Sequence, residues 1–425
     1  MTAREWLPLC TPDAKLTVET AAGVVARVVE ALGRPEFAYP DEFEGRGIVT
    51  CAGGGRYLPC AWVLVRMLRH LGCSLPIECW HLGPEEVPDH WRELFEPRGV
   101  TFVDGRAVAE RHPHPRLNGW ELKPYAIRFS RFREVLFLDA DNVPCVEPSF
   151  LFGTPEYART GLLCWPDYGR LAPDRSAWRV FGDIPYRDEP EHETGQLVVD
   201  KARAWPVVLL ANWYNVHSAF YYGHNLGDKE TWHLAAHRLG YEFAIPARGI
   251  HSLRGTMCQH DFSGRRIFQH RNGCKWTLEG NRRVRGFIGE AECLAWLAEA
   301  REAVAEGWAN MRENDRAIAA SVQGVRWLYE RVGHDQRPLV LEPEGIVGEG
   351  AADCERRWWV WRGEIVVADL AGTVTFRCRP AAAGGWAGRW LEHERMPVRL
   401  TASANENSAD LRQNLDGSGG GPPAA

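Results

Sequence analysis

Glu134-Val-Leu-Phe-Leu-Asp139-Ala-Asp141-Asn-Val-Pro144 joins a short apolar run to two carboxylates that lie one residue apart. The run is too short for a buried helix and is typical of a central strand covered on both faces of a sheet. Because side chains alternate along a strand, Asp139 and Asp141 are predicted to point the same way, just beyond its C-terminal end. Ligands bind at that end of the strands in open α/β sheets.

The two carboxylates indicate a divalent metal site. Side by side they repel each other, which raises their pKa values unless a cation lies between them. Mn²⁺ and Mg²⁺ meet this requirement, because both prefer oxygen ligands and can also hold a diphosphate. The alternative is a capped turn in which Asn142 and Pro144 are ordinary turn residues.

Composition excludes several classes of protein. The chain has 425 residues, of which 45% are hydrophobic and 25% charged, as in an ordinary soluble globular protein. A net charge of −6 without a basic block argues against a nucleic-acid partner. No stretch approaches the ~18 apolar residues of a membrane span, the first ten residues lack a signal peptide, and the twelve cysteines include no Cys-x-x-Cys pair. We therefore expect a cytoplasmic protein, whose oligomeric state the sequence leaves open.

The order of the sequence patterns predicts an α/β protein with additions. From Arg46 strands alternate with helices, which implies a mostly parallel sheet with helices on both faces. After Arg356 short β-type runs are separated by turn residues, and the chain ends in a low-complexity segment. The predicted divisions are a helical lead-in at 1–45, a catalytic α/β domain at 46–285, a helical extension at 286–350, a small antiparallel β module at 355–401 and a disordered tail at 403–425.

Three residues before the paired carboxylates are candidates for binding an anion. Gly53 and Gly54 end the first predicted strand and open a helix, where free N–H groups favour a nucleotide or another anion. A plain tight turn is the alternative. Lys123 lies on the helix that leads into the strand of Asp139. It meets a nucleotide phosphate or the donor sugar, or it is an ordinary surface lysine.

Later motifs supply further polar candidates. Gly195 precedes a predicted strand from Gln196 to Val199 and allows the close approach of a ligand to the backbone. Asp228 opens a predicted helix that continues to Leu239, and a simple N-cap is the alternative role for it.

The segment from His270 to Trp276 is the last of these motifs. His270 can supply a nitrogen ligand to a metal such as Mn²⁺. Lys275 can meet a diphosphate, with Gly273 clearing backbone space between the two side chains.

Several motifs in one order give a more specific signal than any one of them. They are Gly47-Ile-Val-Thr50 with Gly53-Gly54, Leu75-Pro-Ile-Glu78, Leu122-Lys-Pro-Tyr125, Val135-Leu-Phe-Leu-Asp-Ala-Asp-Asn142, Glu193-Thr-Gly-Gln196, Gly227-Asp-Lys-Glu-Thr231 and His270-Arg-Asn-Gly-Cys-Lys-Trp276. Over about residues 45–280 this set resembles the fungal α-mannosyltransferases that extend Golgi mannan and O-glycans. The resemblance implies a GT-A fold, a Rossmann-like mixed sheet flanked by helices, together with a nucleotide-sugar donor, Mn²⁺ and retention of anomeric configuration.

A more distant likeness to glycogenin and the bacterial galactosyltransferases implies roles for individual residues. By that likeness His270 completes the metal site with Asp139 and Asp141, Asp228 contacts the donor sugar, and Lys275 contacts the diphosphate. The expected protein is a metal-dependent retaining glycosyltransferase. It moves a hexose, with mannose favoured, from GDP-mannose or a UDP-hexose to a hydroxyl of a glycan or glycoconjugate.

The transition state of such a reaction carries positive charge on the anomeric carbon. Glu193, Gln196 or Asp228 is expected to stabilise that charge, and no residue is a convincing nucleophile. Two other functions remain open. A metal-dependent nucleotidyltransferase or phosphohydrolase would place a third carboxylate at the metal instead of His270. A carbohydrate-binding protein without activity would not need the metal.

Overall fold

The structure is a computed structural model that describes residues 16–278, 280–305, 311, 313–361, 363–370, 374–382, 384–391 and 396–403. The chain divides into two compact units, Met1–Val304 and Ala305–Ala425. Among the described residues, no helix combines the length and the apolar character needed to cross a bilayer.

A six-stranded mixed sheet forms the centre of the first unit. The strands of this unit are β1 (Arg46–Cys51), β2 (Ile77–His81), β3 (Val100–Asp104), β4 (Glu134–Leu138), β5 (Asn142–Pro144), β6 (Leu162–Arg170), β7 (Pro190–Asp200), β8 (His251–Leu253), β9 (Thr256–His260) and β10 (Arg266–His270). The order in the central sheet is β3-β2-β1-β4-β7-β6. The first four strands are parallel, whereas β7 runs antiparallel to both β4 and β6. This arrangement confirms the predicted α/β fold with a mixed sheet.

Helices cover the central sheet. Those of the first unit are α1 (Ala21–Leu32), α2 (Gly54–His70), α3 (Asp89–Phe95), α4 (Gly105–Arg111), α5 (Leu122–Phe129), α6 (Pro155–Thr160), α7 (Ala177–Val180), α8 (Lys201–Val216), α9 (Ser218–Tyr221), α10 (Thr231–Leu239) and α11 (Glu290–Ala305). All four apolar residues of β4 are buried, and Val135 and Phe137 share one hydrophobic core with α5 and α8. Burial of β4 on both faces is what its uninterrupted apolar run predicts.

The predicted helical lead-in agrees with α1 where the structure describes it. Val25 and Val28 of α1 are buried in the same core as β4. Residues 1–15 of that predicted segment lie outside the described residues.

A second, four-stranded sheet carries His270 to the end of β4. Its order is β5-β10-β9-β8, and it is antiparallel throughout. His270, the last residue of β10, is paired with Asn142, the first residue of β5. Because β5 follows β4 after a three-residue turn, this register places His270 beside Asp139 and Asp141.

The second unit contains more strand than the sequence predicts. Its elements are helix α12 (Glu313–Val322) and a closed barrel of β11 (Arg326–Arg331), β12 (Asp335–Glu342), β13 (Ile346–Val347), β14 (Arg357–Trp361), β15 (Glu364–Ala368), β16 (Val374–Pro380), β17 (Trp386–Trp390) and β18 (Pro397–Ala402). The predicted helical extension at 286–350 is therefore wrong beyond Val322. The β module begins at Arg326, and not at residue 355.

The missed strands have one apolar face only. In β11 Trp327 and Tyr329 are buried, whereas the alternate residues Arg326 and Leu328 are exposed. Because charged residues occupy the alternate positions, the sequence of such a strand is also compatible with an exposed helix. All of the predicted disordered tail except Ser403 lies outside the described residues.

Candidate active site

Two carboxylates and one imidazole meet at the C-terminal end of β4. Ligand atoms of Asp139, Asp141 and His270 all lie within 4.8 Å of one another. His270 Nε2 is 3.2 Å from Asp141 Oδ1 and 3.8 Å from Asp139 Oδ2. The backbone fixes the turn, because the Asp139 N–H donates to the Gly195 carbonyl at 2.8 Å and the Asn142 N–H donates to the Asp139 carbonyl at 2.9 Å. The structure thus brings together the three residues that the sequence analysis named as metal ligands.

Each carboxylate of the pair has its own lysine. Lys123 Nζ donates to Asp139 Oδ2 at 2.8 Å and lies 3.7 Å from Asp228 Oδ1. Lys275 Nζ donates to Asp141 Oδ2. The side chains of Lys123 and Lys275 are only 14% and 22% exposed, so neither is an ordinary surface lysine. Both cations predicted to meet phosphate groups therefore lie at the paired carboxylates.

Asp141 lies between an imidazole and an ammonium. Burial opposes ionisation of Asp141, but His270 and then Lys275 hold the pKa of its carboxyl well below the usual range. Burial also opposes a charge on His270, whose pKa Asp141 and Glu193 raise well above the ordinary value. A proton on His270 and the ammonium of Lys275 thus occupy the positions in which a divalent cation would neutralise Asp141. The donor set of two carboxylates and one imidazole fits Mn²⁺.

Glu193 and Gln196 turn inward and support His270. Glu193 Oε1 lies 2.9 Å from His270 Nδ1 and accepts the Gly195 N–H at 2.6 Å. Gln196 donates through Nε2 to Glu193 Oε2 and accepts through Oε1 from Asn142 Nδ2 at 2.7 Å. Gln196 is fully buried. Both polar ends of Gln196 and both oxygens of Glu193 are engaged, so these contacts orient the imidazole, as the carboxylate partners of metal-binding histidines do.

The strand that holds this network begins earlier than predicted. β7 starts at Pro190, and the polar residues expected to precede a strand at Gln196 lie within it. Alternation directs Glu193 towards His270 and Thr194 towards Asp228, whose Oδ2 accepts from Thr194 Oγ1 at 3.0 Å. Thr194 and Asn142 are site residues that the sequence analysis did not single out for these contacts. Their only signal is their position beside the candidate residues.

Asp228 is buried beside the lysine of Asp139. Helix α10 begins at Thr231 with Glu230 at its N-cap, so the predicted helix start at Asp228 and its alternative role as N-cap are both wrong. Burial raises the pKa of Asp228 to about 6, with Lys123 opposing the shift and Asp139 adding to it. This carboxyl therefore changes charge in the range in which a general acid, base or ion-pair partner is useful.

The candidate glycines mostly serve close packing within the chain. A Cβ at Gly53 would collide with Glu86, and a Cβ at Gly273 would lie 3.3 Å from the backbone of Gly255. Gly54 has φ +68° and faces open space. Lys275 Nζ lies 5.3 Å from the ring centre of Tyr57, on the first turn of the helix that Gly53 caps. The N-terminus of α2 therefore lies near Lys275.

Gly195 makes room for the imidazole itself. A Cβ at this position would collide with Glu193 Oε1 and with the ring of His270. We expect Gly195→Ala to lower the free energy of unfolding by about 1–3 kcal/mol and to weaken metal binding by about 10–100-fold, because the ring must move. Thermal denaturation and Mn²⁺ titration measure the two effects.

The matched control for this variant is Gly249→Ala, because no atom of the residues that the structure describes would contact a Cβ there within 4 Å and the position does not need a positive φ. It should leave stability and metal binding unchanged. Equal metal affinity in Gly195→Ala and the wild type would show that the position of His270 does not depend on this glycine.

Comparison with known proteins identifies the family of this chain. Residues 45–192 and 179–270 match the sequence model of a family described as "Mannosyltransferase putative". The matched region spans more than half of the chain, and the protein belongs to this mannosyltransferase family.

Individual relatives show the extent of the similarity. Alpha-1,2-mannosyltransferase MNN5 of Saccharomyces cerevisiae is 26% identical over 334 residues, covering 63% of this chain and 56% of the relative. Alpha-1,2-mannosyltransferase MNN24 of Candida albicans is 26% identical, covering 52% of this chain and 37% of the relative. The chain thus spans about half the length, or less, of the curated relatives it matches.

Solved structures overlap more weakly. Mouse xyloside xylosyltransferase 1 has 14% identity and a TM-score of 0.33, over 47% of this chain and 84% of that one. Galactosyltransferase LgtC has 14% identity and a TM-score of 0.31, over 44% of this chain and 69% of that one. Overlaps of this size support no conclusion about the substrate of this chain.

Proposed function

We propose that this protein is a metal-dependent retaining glycosyltransferase that transfers a hexose, with mannose favoured, from a nucleotide-diphosphate sugar to a hydroxyl of a glycan or glycoconjugate. One observation carries the proposal: Asp139, Asp141 and His270 converge at the C-terminal end of the central strand of a mannosyltransferase-family chain. The family and the names of the relatives favour mannose, and hence GDP-mannose as the donor.

Asp139, Asp141 and His270 would hold Mn²⁺ or Mg²⁺. When bound, the ion supplies positive charge at the diphosphate that leaves. Lys275, whose ammonium lies at Asp141, would stabilise the same developing negative charge. Glu193 holds the imidazole through Nδ1, so that Nε2 faces the two carboxylates.

Lys123 and Asp228 form the other side of the donor site. Asp228 as a carboxylate would accept hydrogen bonds from the donor sugar and stabilise positive charge on the anomeric carbon. In the transfer step the bond from the anomeric carbon to the phosphate oxygen breaks, and the acceptor oxygen bonds to the same face. The departing phosphate oxygen takes the proton of the acceptor hydroxyl, so the step needs no nucleophile from the protein.

The identity of the third group at the carboxylate pair separates this proposal from its rival enzymes. A nucleotidyltransferase or phosphohydrolase was expected to supply a third carboxylate there. In this chain the imidazole of His270 lies at that position, and the nearby carboxylate of Glu193 contacts the other ring nitrogen, Nδ1. This arrangement favours the transferase.

A donor panel tests the proposal. The full chain is incubated with GDP-mannose, UDP-glucose, UDP-galactose or UDP-N-acetylglucosamine, with Mn²⁺ or EDTA, in the presence of oligomannose acceptors. We expect Mn²⁺-dependent release of nucleotide from one donor, GDP-mannose first, together with a glycosylated acceptor. Nucleotide hydrolysis or exchange without sugar transfer would favour the rival enzyme class. Sugar binding that is independent of Mn²⁺, with no turnover, would favour a binding protein.

The pKa of Asp228 predicts an acidic limit to activity. Since the folded chain holds the pKa of this carboxyl at about 6, it is protonated below that pH and cannot act as an anion. We expect kcat/KM to fall about tenfold per pH unit below pH 6. Protonation of His270 would also lower activity, but by competing with the metal.

Saturating Mn²⁺ separates the two causes. If Asp228 causes the fall in kcat/KM below pH 6, the fall should persist at high Mn²⁺. It should be absent in Asp228→Asn, whose activity is low at every pH. If the pH at which kcat/KM falls becomes lower as the Mn²⁺ concentration is raised, protonation of His270 is the cause instead.

A further inference from the structure

One tryptophan lies exposed beside the loop that carries Asp228. Among the tryptophans that the structure describes, only Trp120 is exposed, at 51%. It lies on a short helical turn, Gly119–Glu121, directly before α5. Its indole packs on the backbone of Gly227, since a Cβ at Gly227 would lie 2.8 Å from a carbon of the ring. Because Gly227 immediately precedes Asp228, the indole lies next to the proposed site of the donor sugar.

Neighbouring side chains hold the indole in place. The ring of Tyr222 meets that of Trp120 at 6.0 Å between ring centres and at an angle of 71°, an edge-to-face arrangement. The Tyr222 hydroxyl donates to Asn215 Oδ1 at 2.6 Å, and Asn215 is buried on α8. A fixed aromatic face offers contact area to a ligand at a low cost in conformational entropy.

The order of contacts in the candidate active site indicates which substrate would meet this indole. In that order the side chains are Lys275, Asp141, His270, Asp139, Lys123 and Asp228. Trp120 comes after Asp228, because its indole packs on Gly227. The diphosphate is proposed to lie at Lys275 and the donor sugar at Asp228. A group bound by Trp120 therefore lies beyond the donor sugar, on the side from which the acceptor approaches.

A cavity borders the same loop. It has a volume of about 520 Å³ and is lined by residues 174–176 and 223–226. This volume lies within the roughly 300–1,000 Å³ of small-molecule sites. The second lining segment connects Tyr222 to Gly227, and both of these residues contact Trp120. The exposed indole and the cavity therefore belong to one continuous surface.

The cavity combines polar groups with an apolar side chain. Asp174 and Arg175 are exposed and offer hydrogen-bond acceptors and donors to hydroxyl groups. Ser176 Oγ lies 2.8 Å from His224 Nδ1, a contact that joins the two lining segments. Leu226 is 70% exposed and adds apolar surface. Sugars carry both hydroxyl groups and flat apolar C–H faces, so a glycan suits this combination.

We propose that Trp120 forms the acceptor site of this enzyme. A sugar ring of the acceptor stacks on the exposed face of its indole, and the adjoining sugars occupy the cavity lined by residues 174–176 and 223–226. This assignment rests on the proposed transferase function and narrows it, because it restricts the acceptor to an oligosaccharide. The hydroxyl of a serine or a threonine carries no flat face for the indole.

Acceptor kinetics of Trp120 variants test the stacking contact. The full chain is assayed with Mn²⁺, with the donor that it uses and with mannotriose as the acceptor. Trp120→Ala and Trp120→Leu should raise the KM for mannotriose by about tenfold or more, because the flat aromatic face is lost. The KM for the donor should change by less than about twofold in both variants. Trp120→Phe keeps an aromatic face and should stay within about threefold of the wild type.

Acceptor length tests the role of the cavity. In the wild type the KM for mannotriose should be lower than that for methyl α-mannoside, which has one sugar ring. Asp174→Ala should raise the KM for mannotriose by about threefold to tenfold, and it should affect methyl α-mannoside less. Asp41→Ala is the matched control, because Asp41 is also exposed but precedes β1, at the opposite edge of the central sheet. It should leave both KM values unchanged.

Calorimetric titration with mannotriose separates this assignment from the proposed function, because it needs no turnover. Binding by the wild type that is lost in Trp120→Leu and kept in Trp120→Phe would support the sugar site even if no donor is turned over. Transfer to mannotriose with a wild-type KM in Trp120→Ala would overturn the assignment and leave the transferase function intact. Equal losses in Trp120→Phe and Trp120→Leu, or a wild type that does not bind mannotriose, would also overturn it.

Discussion

Asp139→Asn is expected to reduce turnover by about 10³-fold or more, because the substitution removes an anionic ligand from the proposed metal site, and no neighbouring group replaces its charge. The asparagine can still accept a hydrogen bond from Lys123, and Lys123 keeps Asp228 at 3.7 Å. We therefore expect the free energy of unfolding to fall by only about 1–2 kcal/mol. Steady-state kinetics with Mn²⁺ and a thermal unfolding curve measure the two quantities.

Asp167→Asn is a matched control for this variant. Asp167 Oδ2 lies 2.8 Å from Lys229 Nζ, and Asp139 Oδ2 lies at the same distance from Lys123 Nζ. Both aspartates are 17% exposed, so the two substitutions carry similar structural costs. Asp167→Asn should retain turnover. An Asp139→Asn protein with wild-type turnover, or two variants with equal losses, would contradict a metal role for Asp139.

The position of the carboxylate pair could be predicted because it depends on local sequence. The apolar run predicts a buried strand, and Asp-x-Asp follows it directly, so both carboxylates lie at the C-terminal end of β4, although they occupy the turn after the strand and not the strand itself. The parallel neighbour β1 follows from the alternation of strands and helices, whereas the antiparallel neighbour β7 does not. The position of His270 beside the two carboxylates could not be predicted in this way, because it depends on the pairing of β5 with β10. Only the resemblance to known transferases indicated that contact.

The network around Glu193 could not be predicted from the sequence. Polar residues at the start of a strand ordinarily face a ligand or solvent, whereas Glu193 and Gln196 bond to each other and to His270 inside the chain. Such contacts are decided by which side chains meet across three strands, and a sequence pattern contains no such distances.

Lys275 is expected to have opposite effects on metal binding and on catalysis. Its ammonium is bound to Asp141, and Asp141 raises the pKa of Lys275 although burial opposes the shift. The ammonium therefore competes with a metal for Asp141, and it becomes available to the diphosphate once the metal is bound. We expect Lys275→Gln to bind Mn²⁺ about threefold to tenfold more tightly, because the competing ion pair is lost.

The same variant should lower kcat by about 10²–10³-fold, since it removes the positive charge that we propose stabilises the leaving diphosphate. Lys275→Arg keeps that charge and should stay within about tenfold of the wild type. Mn²⁺ titration and kcat at saturating donor separate the two effects. If Lys275 served only folding, Lys275→Gln would lower the Mn²⁺ affinity, kcat and the Tm together. We expect its Tm to stay close to that of the wild type, because Asp141 is still paired with His270. A variant with tighter Mn²⁺ binding and unchanged kcat would show that Lys275 only competes for Asp141 and that another group, Lys123 first, stabilises the diphosphate.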